Sequence, residues 1–157
     1  MSSKPIKRNE NIAPLSRDHY AGLLFCVRLK KGVSKNLSIS LLADYVQWFW
    51  NNDMKEHFES EETYLFTNPE DPGVKRALDE HKDIKGRIDE IKTLQTTDQA
   101  FLELAAIVDR HIRYEERELF PYLEAILPEA ELLRIGKILL DKEAAHCDPV
   151  YSNEFWK

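Results

Sequence analysis

The ten residues from His57 to Phe66, HFESEETYLF, return as HIRYEERELF from His111 to Phe120; both read H-x-x-x-E-E-x-x-L-F. A carboxylate four residues after an imidazole lies on the same face of a helix, one turn further along. The phrase therefore calls for two helices presenting the same polar pair. Trp50, His57 and Glu61 share one stripe, and Val108, His111 and Glu115 share another, so both pairs face the interior. A chain built this way must bury imidazoles and carboxylates together, which an apolar core tolerates only if the charges are compensated.

The rest of the chain supplies helices to complete that interior. Residues 1–14 are polar and end at Pro14, which reads as an arm before a helix over about Leu15–Lys31, with Ser16 or Asp18 as its cap, Leu15, Leu23 and Val27 inward and Gly32 as its stop. A second helix spans about Leu37–Leu65 and breaks at Asn68-Pro69-Glu70-Asp71-Pro72-Gly73. A third runs from Val74 to about Leu94 with Leu78, Ile84, Ile88 and Ile91 on one stripe, followed by Thr96-Thr97-Asp98 as break and cap. The fourth covers about Gln99–Phe120 and is expected to stop at Pro121. A shorter helix over Glu129–Ala145 turns Leu132, Leu133, Ile135, Leu139 and Leu140 inward, leaving 146–157 as a tail. Low glycine (5 residues) and little apolar–polar alternation argue against strands. The expected fold is all-α: an up-down-up-down four-helix bundle over 15–145 with a short additional C-terminal helix.

Four of the five histidines fall one per long helix: His19, His57, His81 and His111. In antiparallel neighbours, residues at one height lie equally far from the connecting turn, so their midpoints must fall in turns. The midpoint of His57 and His81 is Pro69, that of His81 and His111 is Thr96, and that of His19 and His57 is Ser38. All three lie in or beside expected breaks, so the four imidazoles share one layer. Glu61 and Glu115 join that layer, and the only cations on these stripes are Lys85 and Lys55. Bound metal resolves the cost of burying the carboxylates. Mixed imidazole and carboxylate donors on a bundle favour iron or manganese over structural zinc, although affinity order alone leaves zinc or copper open. His146 matches nothing in the layer and reads as a surface residue.

With 157 residues the chain has the size of one domain, and its net charge of −6 with no basic stripe argues against a nucleic-acid partner. Lys30, Lys31 and Lys35 read as cations near a helix C-terminus. No apolar run is long enough for a membrane span, and the N-terminus lacks a signal-like core, so a cytoplasmic location is expected. Two cysteines, Cys26 and Cys147, form no disulfide framework, and Cys26 reads as a core residue.

One His on the first helix, His-x-x-x-Glu on the second, His on the third and His-x-x-x-Glu on the fourth, with the Glu-Glu-x-x-Leu-Phe-Pro ending at Pro121, resembles the hemerythrin-like, or HHE cation-binding, family over about residues 14–142. The resemblance implies His19, His57, His81 and His111 as terminal ligands of two iron ions bridged by Glu61, Glu115 and an oxo or hydroxo group, with manganese or zinc as alternatives. Oxygen carriers of this family place a further histidine one turn before the ligand on helix three, where this chain has Ala77. Either both irons then keep an exchangeable position, or Glu80, Tyr64 or water fills it. Carriers also commonly space the last carboxylate five residues from its histidine, which Glu116 satisfies; Glu115 is preferred because five residues rotate the side chain off the histidine's face.

The resemblance implies binding of O2, peroxide or nitric oxide at an open iron position behind an apolar wall that includes Trp50, Ile84 and Val108. Alternatives are a peroxide- or NO-reducing enzyme, or iron storage, delivery or repair of iron centres. Ala77 weakens reversible oxygen carriage, and no general acid or substrate pocket is legible.

Overall fold

The computed structural model describes residues 7–157, and among them every regular element is helical. Five helices follow one another. α1 is Ala13–Ser34, α2 spans 39–65, α3 is Pro72–Lys92, α4 spans 98–126 and α5 is Glu129–Ala145. α1 packs on α2 and α4, and α3 packs on α2 and α4, which closes an up-down-up-down bundle with α5 laid along α1. Among the described residues no helix is long and apolar enough to cross a membrane.

Local chemistry sets the starts. Ser38 caps α2 by accepting the amide of Leu41 at 3.2 Å. Asp71 caps α3 by accepting the amides of Gly73 and Val74 at 2.8 and 3.2 Å, with Pro72 pre-set for the first turn. The three turns contain Ser38, Pro69 and Thr96, where the midpoints of the histidine pairs fall.

α1 starts earlier than its sequence suggests and has no side-chain cap; Asp18 instead reaches His57, and Ser16 accepts from Arg8. It also runs through Gly32 rather than ending there. A Cβ at Gly32 would overlap Leu42, so this glycine serves close packing, and the chain turns at Asn36 with φ 57°, a conformation asparagine tolerates. Leu23 and Val27, expected inward, are exposed: the buried stripe runs Leu15, His19, Gly22, Cys26, Leu29, and both lie one step round the helix from it. Leu133 and Leu140 of α5 are exposed for the same reason, while Leu132, Ile135 and Leu139 are buried.

α4 does not stop at Pro121. A π-type turn over Glu115–Leu119 precedes Phe120–Ile126, and the helix continues through the proline. In a π turn the amide of residue 121 would bond the carbonyl of Glu116; proline lacks that donor, and Arg8 supplies one instead at 2.6 Å from the Glu116 carbonyl oxygen. The same guanidinium pairs with the Glu116 and Glu124 carboxylates at 2.9 and 3.1 Å. Arg8 and the fully buried Ile12 thereby bind the segment before α1 to the bundle. At the other terminus, Phe155 is buried and Arg28 lies 3.9 Å over the ring of Trp156.

The core is divided in two. One cluster gathers Phe25, Leu29, Leu42, Phe49, Ile88 and Phe101; the other gathers Ile12, Leu65, Val74, Leu119, Phe120 and Ile135. The histidine layer lies between them.

Leu94 follows α3 with φ 64° while half its surface is exposed. Left-handed backbone costs an L-residue roughly 1–2 kcal/mol that glycine avoids. Leu94→Gly is therefore expected to stabilise the protein by about 1 kcal/mol in a denaturant titration.

Candidate metal centre

His19, His57, His81, His111, Glu61 and Glu115 meet in one buried cluster. Its recurring element is the π turn. Each Glu-Glu of the repeated phrase opens one, at Glu61–Leu65 and Glu115–Leu119, so the first glutamate stays on its histidine's face while the second swings toward a neighbouring helix. Ligand-capable atoms fall into two overlapping groups, each within 4.8 Å: His19, His57, Glu61 and Glu115, and His81, His111, Glu61 and Glu115. Glu61 and Glu115 belong to both.

All four imidazoles turn Nε2 inward. Glu61 oxygens lie 3.3 Å from His57 Nε2 and 3.0 Å from His81 Nε2; a Glu115 oxygen lies 3.0 Å from His19 Nε2 and 3.4 Å from His111 Nε2. The two histidine pairs are near copies, with ring centroids 4.9 Å apart in each and interplanar angles of 67° and 66°.

The outward nitrogens are held as consistently. Nδ1 of His19 donates to Glu116 at 2.7 Å, that of His57 to Asp18 at 3.2 Å, that of His81 to Glu62 at 3.2 Å and that of His111 to Glu80 at 2.7 Å. Two of these acceptors directly precede a ligand-type histidine, in Asp18-His19 and Glu80-His81, and two are the second glutamate of the repeat. Each carboxylate thus serves the histidine of a neighbouring helix. This ring was not expected from the sequence, although the acidic residue beside each site residue was its available signal.

Glu116 is accordingly not a member of the inner cluster but the Nδ1 partner of His19. Glu80 does not fill the place of a fifth histidine, because it is engaged outside His111, and Tyr64 lies beside Lys142. Ala77 is fully buried among apolar side chains. Lys85 pairs with Asp89 and Lys55 is exposed, so neither cation compensates the cluster. His146 is partly exposed beside Asp148 at 3.4 Å.

Burial opposes charge on the imidazoles, yet the surrounding carboxylates outweigh it. His19 is raised well above its ordinary value by Glu115, Glu116 and Glu61, His57 to about 9 by Glu61 and Asp18, and His111 to about 10 by Glu115 and Glu80; His81 is raised by Glu61 and Glu62. Glu61 is held well below the carboxylate range, against its burial, by His57, His19 and His81. Glu116 is held at about 2, again against burial, chiefly by its bond to His19. Burial lifts Cys26 to about 12, which keeps it a thiol.

The fit to a cation follows from what stays unpaired. Among the described residues, His57 Nε2, His111 Nε2, Glu61 Oε2 and Glu115 Oε2 are buried without a hydrogen-bond partner, as is Arg28 Nε away from the centre. Buried polar atoms rarely go unsatisfied, and the first four all belong to the inner cluster, where a cation would take their lone pairs. Outer carboxylates that fix the tautomer and raise imidazole basicity typically matter 10–100-fold to metal affinity. Glu116→Ala is therefore expected to weaken metal binding by roughly that factor, read by competition with a chelator, instead of leaving the site unchanged as its place outside the cluster would suggest.

No curated protein and no solved structure gives a significant match. A family model described as the hemerythrin HHE cation binding domain matches residues 12–123, a stretch that runs from the start of α1 into the last turn of α4 and contains all six residues of the cluster. The chain belongs to the hemerythrin HHE cation-binding family and is a metal-binding, hemerythrin-like helical bundle.

Proposed function

We propose that the bundle holds a pair of iron ions, one on His19 and His57 and the other on His81 and His111, with Glu61 and Glu115 shared, and that the pair binds or reacts with O2, peroxide or nitric oxide. The observation that carries this reading is the two four-residue groups that overlap in both carboxylates. Manganese or zinc would suit part of the same donor set. A reduced iron pair supplies electrons to a small oxygen- or nitrogen-containing ligand.

The chain's own residues restrict what that ligand can be. A cavity of about 20 Å³ touches His19, His57 and His111 and is walled by Phe49, Met54, Phe58, Val108 and Ile112. A single water needs roughly 10–15 Å³, so this space has room for a diatomic molecule or peroxide. Val108 stands in this wall, while Trp50 lines a second pocket beside His81 and Ile84 a third beside His111. The apolar lining limits water at the centre, and the Nδ1 carboxylates keep each Nε2 aimed inward.

Metal analysis tests the reading first: two irons per chain after anaerobic ferrous loading are expected, and a chain that takes no iron, or only one, overturns it. An adduct that reverses under vacuum would mark binding or sensing; rapid irreversible oxidation would mark peroxide, nitric oxide or iron-handling chemistry.

Gly22 tests the cavity. A Cβ there would lie 2.7 Å from Ile112 Cδ1, and both residues line the space. Gly22→Val is expected to cost about 1–3 kcal/mol by overpacking and to slow nitric oxide uptake in flash photolysis at unchanged metal content.

A further inference from the structure

Asp53 sits four residues before His57, as Glu61 sits four after it, so one face of α2 carries carboxylate, imidazole and carboxylate in successive turns. It lies half-buried in a π-type turn over Trp50–Met54. The four Nδ1 carboxylates each have an imidazole to accept from. Asp53 has neither a hydrogen-bond nor an ion-pair partner among the described residues.

Its position explains why an unpaired carboxyl is kept there. An outer pocket of about 60 Å³ opens between α1, α2 and α5, and the inner cavity of about 20 Å³ lies behind it against the histidines. Asp18, Asp53 and His57 line both spaces and form the partition between them. Asp18 is occupied by His57 Nδ1 at 3.2 Å. Asp53 is the one carboxyl of the partition free to exchange a proton.

We infer that Asp53 is the proton carrier of the centre, taking a proton from water in the outer pocket and passing it to an oxygen atom of a small ligand reduced in the inner cavity. This rests on the small-ligand reading above. For hydrogen peroxide the balance is H2O2 + 2 e− + 2 H+ → 2 H2O. Breaking the O–O bond takes two electrons, which a ferrous pair held by the cluster would supply in becoming ferric, and each oxygen takes one proton. Asp53 delivers a proton, is left as carboxylate and is recharged from the outer pocket.

The groups around it suit the task. His19 and Asp18 face this region from α1, Glu56 and His57 from α2, His111 from α4, Lys142 and Glu143 from α5, and His146 and Asp148 from the segment beyond. Burial first, then Asp18 and Asp148, raise the Asp53 carboxyl to about 6 against the pull of His57 and His146, so it gains and loses a proton within reach of neutral pH.

The test mixes ferrous-loaded wild type, Asp53→Asn and Asp53→Glu with hydrogen peroxide in stopped flow between about pH 5 and 8, with iron content and Tm measured alongside. In metal-free protein, an isotope-edited infrared titration of the carboxyl band reads Asp53 without any turnover. Ferrous-loaded wild type is expected to slow as pH rises, and the metal-free protein to show a carboxyl titrating at about 6. Asp53→Asn, with full iron and an unchanged Tm, should react on the order of 100-fold more slowly at low pH and lose both the inflection and the band, while Asp53→Glu restores the inflection. An Asp53→Asn protein with the wild-type rate and pH profile overturns the inference and leaves the iron reading standing. Loss of iron from Asp53→Asn makes the residue a structural support and overturns it as well. Wild type that holds two irons and is inert to peroxide overturns the inference together with the peroxide part of the reading.

Discussion

Glu115→Ala is expected to leave the protein unable to hold either metal, whereas His57→Ala is expected to lose one and keep the other. The asymmetry follows from sharing. Glu115 is fully buried, and its oxygens lie 3.0 Å from His19 Nε2, 3.4 Å from His111 Nε2 and 3.9 Å from His81 Nε2, so it serves both groups of ligand atoms. His57 serves one, with its Nε2 3.3 Å from Glu61. Removing one partner from a buried charge pair also leaves the others uncompensated, at a cost of about 3–5 kcal/mol, so metal-free Glu115→Ala should melt well below the wild type. Metal per chain by elemental analysis decides the first point and differential scanning calorimetry the second. Two metals retained in Glu115→Ala would show that the shared carboxylate is not a ligand.

Metal binding is expected to release protons and to reverse how stability responds to alkali. In the metal-free cluster the imidazoles are raised by their carboxylates, His57 to about 9 and His111 to about 10 from an unfolded value near 6.5. Groups raised in this way contribute stability that is fully present below the unfolded value and is lost as pH rises through the folded one. Metal-free protein should therefore lose on the order of a few kcal/mol, roughly 5–10 °C in Tm, between about pH 8 and 10. At the acid end the signs invert. Glu116 is lowered from 4.5 to about 2 and Glu61 is lowered too, so their contributions are present above the unfolded value and vanish as pH falls through the folded one. Metal requires neutral imidazole, so loading at neutral pH should expel two or more protons per pair, and affinity should climb with pH. Calorimetry in buffers of different ionisation enthalpy counts those protons. A count of zero would mean that the imidazoles were already neutral.

Much of this could be read from one dimension because the governing geometry is periodic. Four-residue spacing puts Glu61 beside His57 and Glu115 beside His111 whatever the helices pack against, and equal distances from a turn put four histidines at one height in any antiparallel bundle. The weaker expectations were those where a single step round the helix matters. Leu23 and Leu133 share the composition of the core stripe and miss it by one position. Pro121 reads as a stop because its missing amide usually costs a helix a bond; Arg8, more than a hundred residues away in sequence, satisfies the carbonyl so freed.

The same division runs through the centre. Residue types and spacing determine which six side chains turn inward, and with them the all-helical fold and a demand for cationic compensation, since a helix carries its stripe in its own sequence. Which carboxylate holds which imidazole depends on the relative rotation and offset of two helices, and that is set by packing in the two core clusters on either side of the layer. Tertiary structure therefore decided that Glu115 faces the centre and Glu116 the back of His19, that Glu80 supports His111 instead of replacing a missing ligand, and that Asp53 stands unpaired between two cavities. Periodicity is a property of one helix, and a hydrogen bond between helices is a property of two.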